Sequence, residues 1–209
     1  MTNTTRVQIA TSNAGKLREY IEMAAGFAIQ LESIPEFATL PSFDESAPTF
    51  AENAAGKALH YSKLTDQIAM ADDSGLVIPA LGGEPGVQSA RYAGPNATDL
   101  DRIKKLLRAM GGRKGDERKA QFVCVIALAQ RGRMLAVISA SVEGLLAAEP
   151  RGDCGFGYDP VFLVPDIGLT FGEISQYEKN RLSHRGRAYR KALDFLCAPS
   201  PVASIQSAG

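Results

Sequence analysis

The chain has 209 residues, 45% hydrophobic and 22% charged, which is enough apolar material to build a sizeable core within one domain. Its 23 Lys and Arg balance its 23 Asp and Glu, so no global field recruits nucleic acid or an anionic membrane, and any phosphate binding has to be built locally. Cys124, Cys154 and Cys197 are odd in number and form no Cys-x-x-Cys pair, and no apolar run approaches the roughly 20 residues of a membrane span; a disulfide framework, a zinc site and insertion are all disfavoured, and a reducing cytoplasm is the expected setting.

Arg6 to Thr11 is predicted as a short strand. Ser12-Asn13-Ala14-Gly15 turn it into a helix whose Leu17, Ile21 and Ala24 recur at helical spacing before Gly26. Such a junction aims free backbone N–H groups and the positive end of the helix dipole at an anion, and Lys16 adds a full charge. Thr11-Ser12-Asn13-Ala14-Gly15-Lys16 is therefore either a phosphate seat or simply a helix start. It is not a P-loop, which would need glycine at Ala10 and a hydroxyl at Leu17.

A second strand over Ile29 to Ile34 leads into Pro35 to Pro48, a loop rich in proline, serine and acids whose length hints at function. Thr49-Phe50-Ala51-Glu52 has the pattern of a capping box and opens a helix running to about Leu64. Within that helix Lys57 shares the apolar stripe of Phe50, Ala54 and Tyr61, with Asn53 one turn earlier. Its stem either snorkels to water or carries the ammonium to a phosphate in a cleft beside the core.

Ile68 to Ala71 is predicted as a short buried strand that ends in Asp72-Asp73-Ser74-Gly75, with apolar character resuming from Leu76 to Leu81. Adjacent carboxylates at a strand end need a cation or hydrogen-bond donors. Magnesium takes one or two carboxylates together with phosphate oxygens, and the loop acid Glu45 can complete such a site. The alternatives are an Asx turn at Asp72-Asp73 and a solvated Glu45.

Thr98 to Met110 is an amphipathic helix through Ile103, Leu106, Leu107 and Met110, stopped at Gly111-Gly112. Ala120 to Ala129 and Met134 to Val142, joined at Arg131-Gly132, form a long hairpin. In Gly155-Phe156-Gly157-Tyr158-Asp159-Pro160 the glycines let backbone approach a flat ligand while the ring stacks on it and Asp159 faces its edge; the other reading is a turn into the strand at Val161 to Val164. Lys179 and Ser183-His184-Arg185 gather donors at the start of a last helix bearing Tyr189, Ala192, Leu193 and Leu196. They suit a carbonyl or phosphate, or else form a solvated cap. With only His60 and His184 present and no Gly-x-Ser-x-Gly elbow, His-rich metal sites and Ser-His-Asp hydrolysis are disfavoured. Residues 1–197 read as a single α/β domain with a mixed sheet, and Ala198 to Gly209 as a disordered tail.

Six blocks, in order, resemble the inosine triphosphate pyrophosphatase family, which acts on noncanonical purine nucleoside triphosphates: Thr-Ser-Asn-x-x-Lys at 11–16, Thr-Phe-x-Glu-Asn-Ala-x-x-Lys-Ala at 49–58, Ala-Asp-Asp-Ser-Gly-Leu at 71–76, Gly-Val-x-Ser-Ala-Arg-Tyr-Ala-Gly at 86–94, Gly-Phe-Gly-Tyr-Asp-Pro-x-Phe at 155–162 and Glu-Lys-Asn-x-x-Ser-His-Arg-Gly at 178–186. The resemblance implies an elongated, two-lobed α/β fold around a central cleft, and a homodimer. It implies that the loop from Thr11 to Lys16 and Lys57 hold the triphosphate. Glu45 and Asp73 would bind magnesium, with Asp73 the general base for water and Asp72 its close helper. Phe156, with Gly157 and Tyr158 beside it, would stack on the base, Asp159, Lys179, His184 and Arg185 would surround the base's edge, and Ser74 would add a contact. The implied reaction is attack of water on the α-phosphorus with pyrophosphate leaving. The purine 6-oxo group would be preferred to adenine's amino group because only an oxygen accepts from cationic or N–H donors. The acidic loop departs from the family, reading Glu45-Ser46-Ala47-Pro48 where many relatives have Glu-Thr-Gly. Two rivals are a Maf-type nucleotide pyrophosphatase, disfavoured by the block from Phe156 to Pro160, and a non-catalytic nucleotide-binding module, disfavoured by Lys16, Lys57, Asp72 and Asp73.

Overall fold

The computed structural model describes residues 4–198, so all but the first residue of the tail expected from Ala198 lies outside the described residues. β1 (Thr5–Ile9), α1 (Ala14–Ala24) and β2 (Ile29–Ser33) form a parallel unit, and α2 (Phe50–Tyr61) returns the chain to β3 (Ile68–Val77), parallel to β1 on its other side. After α3 (Asp99–Met110) come the hairpin strands β4 (Lys119–Gln130) and β5 (Arg133–Leu146), then β6 (Phe162–Val164), β7 (Leu169–Thr170), α4 (Gln176–Leu182) and α5 (His184–Cys197). The result is the expected mixed sheet, of seven strands in the order β2-β1-β3-β4-β5-β6-β7, antiparallel from β3 onward. Arg131 and Gly132 close the hairpin with φ of 50° and 73°, as a tight two-residue turn between right-twisted strands requires.

The course of β3 differs from the expectation. The sequence predicts a strand ending at Ala71, but β3 runs on through both acids to Val77, because β4 pairs with it from Ala69↔Ala129 to Val77↔Gln121. What stops is its other neighbour, since β1 accompanies β3 only as far as Ile9↔Met70. Asp72 and Asp73 therefore lie just past the carboxyl end of the parallel half, where open α/β sheets bind their ligands. Successive strand side chains alternate in face. Asp72 accordingly shares the face of Met70, and Asp73 that of Ala71.

Each face carries its own apolar cluster. Val7, Ile9, Met70 and Ile126 pack against Tyr20 of α1 and Tyr189 of α5. On the opposite face Ala54 and Ala58 of α2 meet Ala69, Ala71, Ala127 and Ala129, all fully buried, so α2 lies close to the sheet and its polar residues reach the strand. A third cluster joins Ile103, Leu106 and Met110 of α3 to Phe122, Phe162 and Phe171.

The helix ends show two further differences. α2 starts as expected, with Thr49 accepting from the Glu52 N–H, but the Glu52 carboxylate takes the Thr49 hydroxyl rather than its backbone, and the helix stops at Tyr61, short of Leu64. Lys179 stands on a separate helix, α4, opened by a full capping box between Ser175 and Glu178.

Candidate active site

A cleft of about 270 Å³ opens where β1 ends beside β3. Of the residues to which the family resemblance gives a place in the site, all line it except Ala14, Gly15 and Asp72.

At one end stands the loop from Thr11 to Lys16. Its side chains hold the loop itself: Thr11 Oγ1 accepts the Asn13 N–H at 3.2 Å, and Asn13 Oδ1 caps α1 by accepting the Lys16 N–H at 3.0 Å. Lys16 Nζ lies 2.9 Å from Asp72 Oδ2. The two adjacent acids differ in proton affinity. Burial disfavours ionisation of Asp72, but Lys16 and Arg185 outweigh it and hold the carboxyl below its usual value. Asp73 is also desolvated and is pushed up to about 6, although Lys16 and a hydrogen bond from Asn53 oppose the rise. Asp73 Oδ2 accepts from Asn53 Nδ2 at 3.0 Å and Oδ1 from the Ser74 N–H at 2.9 Å. Asp72 is thus a fixed counter-ion, whereas Asp73 is a carboxylate that a proton or cation would stabilise.

Lys57 lines the cleft and reaches across to Glu45, Nζ to Oε1 being 2.5 Å. The Glu45 backbone is held as well, its carbonyl accepting from Arg91 Nη2 at 2.8 Å. Glu45 and Asp73 offer only oxygen donors, and among the described residues no group of three His, Cys, Asp or Glu side chains is placed to hold a metal ion. Two carboxylates completed by water and phosphate oxygens are the donor set that magnesium takes.

The other end of the cleft rests on a buried charge network. Lys179 Nζ lies 2.6 Å from Glu19 Oε1 and 2.5 Å from Asp159 Oδ2, and Arg185 Nη1 lies 2.6 Å from Glu19 Oε2. Burial raises the Asp159 carboxyl even with Lys179 beside it. Its Oδ2 also accepts the Phe156 N–H at 2.7 Å, so the oxygen that the sequence offers to a ligand's edge is engaged inside the protein. The Phe156 ring carries Lys179 Nζ 4.5 Å and Arg185 Cζ 5.4 Å from its centroid. It also lies against Gly15, where a Cβ would fall 2.7 Å from the ring, which explains glycine in the first turn of α1, where no left-handed residue is needed. His184 stacks on Phe122 at 4.5 Å and 10°. Burial and the cations Arg185, Lys179 and Lys16 push it well below the usual histidine range, so it is a neutral ring.

Sequence reasoning missed Glu19, Ser89 and Asp99. Glu19 follows Lys16 by one helical turn, and a carboxylate on the face of the phosphate-seat lysine was a usable signal. Ser89 lies within the block at 86–94, to which no role was attached. Its Oγ accepts the Leu76 N–H at 2.9 Å and donates to the Gly86 carbonyl at 2.6 Å. A Cβ at Gly75 would come 2.4 Å from that hydroxyl, so β3 needs glycine beside its acids. No local pattern marks Asp99, whose partner Gly157 is 58 residues away.

An open mixed sheet with a strand-to-helix loop and Lys16 at one end of a cleft, and an aromatic ring hemmed by cations at the other, has the build of a ligand-binding α/β protein. The chain belongs to the Ham1 family, whose sequence profile matches residues 7–195. It is 46% identical over 185 residues to a dITP/XTP pyrophosphatase of Geobacillus kaustophilus, covering 88% of this chain and 91% of that one. It is 49% identical over 189 residues to a dITP/XTP pyrophosphatase of Thermus thermophilus, covering 90% of each. Among solved structures, a HAM1 protein from Coxiella burnetii superposes with a TM-score of 0.83 at 43% identity, covering 92% of this chain and 98% of that one. The Staphylococcus aureus Ham1 protein gives 0.81 at 37% identity with the same coverage. The resemblance read from the six blocks is therefore borne out, and so is the α/β fold.

Proposed function

We propose that this enzyme hydrolyses noncanonical purine nucleoside triphosphates, dITP and ITP, dXTP and XTP, to the monophosphate and pyrophosphate. The observation that carries this is the two-ended cleft, with Lys16, Lys57 and Asp73 at one end and Phe156, Lys179, His184 and Arg185 at the other. The relatives to which the chain is so similar are dITP/XTP pyrophosphatases, which supports this reading.

The loop from Thr11 to Lys16 and the Lys57 ammonium seat the triphosphate, supplying N–H donors and positive charge to a polyanionic chain. Glu45 and Asp73 would hold magnesium, which when bound offsets negative charge on the phosphates and polarises the scissile anhydride. Asp73, raised to about 6, accepts the proton of the attacking water. Asp72, kept ionised under Lys16 and Arg185, fixes the positions of both cations. Phe156 stacks on the base, and Gly157 and Tyr158 shape that wall.

Base selection follows from counting donors. An ammonium has three N–H bonds, and Glu19 and Asp159 take two from Lys179, leaving one for a purine oxygen. Arg185 gives one N–H of Nη1 to Glu19 and one of Nη2 to Ser74 Oγ, and its Nε lies 3.8 Å from Asp72 Oδ2, so the second N–H bonds of Nη1 and Nη2 remain for the same ligand. These donors reward a 6-oxo group and meet no acceptor on adenine's amino group. The same proposal places the enzyme in the cytoplasm as a homodimer, and Leu135 and Val137, left exposed on β5, are surface that a second copy can cover.

Hydrolysis of dITP in H₂¹⁸O with magnesium tests the reaction itself. The label is expected in dIMP, as attack at the α-phosphorus demands; label in pyrophosphate, or release of inorganic phosphate, would refute it.

A further inference from the structure

We propose that Asp99 is a positioning residue that pins the ring-stacking loop to α3, a role that rests on the function proposed above. Phe156 is carried by a loop whose flanking glycines, Gly155 and Gly157, have φ of 76° and 65°. Both are left-handed, so the loop needs tethers to hold one shape. Two are internal, from the Phe156 N–H to Asp159 Oδ2 and from the Asp159 N–H to the Phe156 carbonyl. Two leave the loop: the Gly157 N–H donates to Asp99 Oδ2 at 2.7 Å, and the Tyr158 hydroxyl donates to the Ser89 carbonyl at 2.9 Å.

Asp99 is free for this task because its helix does not use it. It is the first residue of α3, where a carboxylate would ordinarily serve its own first turn. Here Thr98 and Asp101 form a reciprocal capping box that already does so. The other Asp99 oxygen is held by Arg102 Nη2, and Arg102 Nη1 in turn donates to the carbonyls of Ala90 at 3.0 Å and Ala97 at 2.7 Å. A single carboxylate thus connects the stacking loop to the wall that carries Ser89 and Arg91. Asp99 also lines the cleft, with its side chain 43% exposed, so it sits at the mouth rather than in the core.

Loss of this tether should loosen the platform under the base and leave the anion seat, held by Asn13 and Thr11, untouched. The test is a calorimetric titration of wild type, Asp99→Ala and Asp99→Asn with dIMP and, separately, with pyrophosphate, alongside steady-state kinetics on dITP. Asp99→Ala should weaken dIMP binding and raise KM roughly tenfold, the scale of one charge-assisted hydrogen bond, with kcat within about twofold. Pyrophosphate affinity should not change. Asp99→Asn, which keeps an acceptor oxygen, should recover most of the loss while melting at the same temperature. Unchanged dIMP affinity in Asp99→Ala would overturn the proposal, as would equal weakening of dIMP and pyrophosphate, which would mark a general structural defect. A wild type that binds dIMP but releases no pyrophosphate from dITP would overturn the proposed function instead, with the dIMP titration still deciding the role of Asp99; a wild type that binds no dIMP would overturn both.

Discussion

Glu19 Oε1 lies 2.6 Å from Lys179 Nζ, 160 residues further along the chain, and all three partners Glu19, Lys179 and Arg185 are buried. Despite its burial, Arg185 and Lys179 hold the Glu19 carboxyl below its usual value. Removing one member of a buried ion network strands the others. Glu19→Ala should therefore cost about 3–5 kcal/mol in urea unfolding, with Glu19→Gln losing less because it keeps an acceptor. A Glu19→Ala protein with the wild-type midpoint would show that solvent, not Glu19, compensates Lys179 and Arg185.

Phe156 should act on binding rather than on the chemical step. Alanine there removes the face on which the base rests, and base–aromatic stacking is worth about 1–3 kcal/mol. Phe156→Ala is expected to lower kcat/KM for dITP by roughly 5- to 150-fold, mainly through KM, with Phe156→Tyr close to wild type. A fall confined to kcat would place the ring at the reacting phosphate instead.

Asp73 should show a trade between function and stability. Burial disfavours its ionised form, so neutral asparagine is expected to stabilise the metal-free protein by on the order of 2 kcal/mol at pH 7. The sign follows from a raised carboxyl value: the cost is present above about 6 and disappears as pH falls toward the unfolded value of 3.8. Melting scans of wild type and Asp73→Asn at pH 7 and pH 4.5 check this, and the gap should shrink at the lower pH. The same variant should lose kcat by about 10²-fold or more, as expected for a missing general base.

His184 gives the opposite pH signature. Its folded-state value is depressed, so only the unfolded chain protonates as pH drops below 6.5, and the stability His184 provides is present above that value and lost below it. The stability advantage of wild type over His184→Gln should decline by up to about 1.4 kcal/mol per pH unit between pH 6.5 and 5. Because Asp73 titrates in the same range with the opposite sign, the difference between the two proteins, rather than the wild-type curve, is the quantity to follow. A gap independent of pH would mean that His184 ionises in the folded protein.

What the sequence made legible was local and periodic. The β1-loop-α1 junction, the stripe of α3 and the β4-β5 hairpin each repeat at the spacing of their own element, so each is read without knowing what it packs on. Thr11 to Lys16, Lys57 and the block from Phe156 to Asp159 were found because loops and misplaced charges stand out against such patterns. The course of β3 was not legible, because polar Asp72-Asp73-Ser74-Gly75 is kept in the strand by pairing with β4 some 50 residues later. Asp99 escaped for the same reason, since its partner Gly157 lies 58 residues away and nothing in a short window announces it, while Glu19, one helical turn after Lys16, was overlooked although its partner Lys179 is 160 residues away. Asp159 was found, but the engagement of its Oδ2 by Lys179 and the Phe156 N–H was not legible.

The central claim is that Lys179 and Arg185 select a purine carrying a 6-oxo group while the Asp73 end cleaves its triphosphate. Initial rates of pyrophosphate release from dITP, XTP, dATP and dGTP, with magnesium present, test it most directly. The account predicts kcat/KM for dITP and XTP at least about 100-fold above that for dATP, whose amino group gives the buried donors no acceptor, whereas dGTP carries the same 6-oxo group and is not separated by these donors. Equal turnover of dATP and dITP would contradict it.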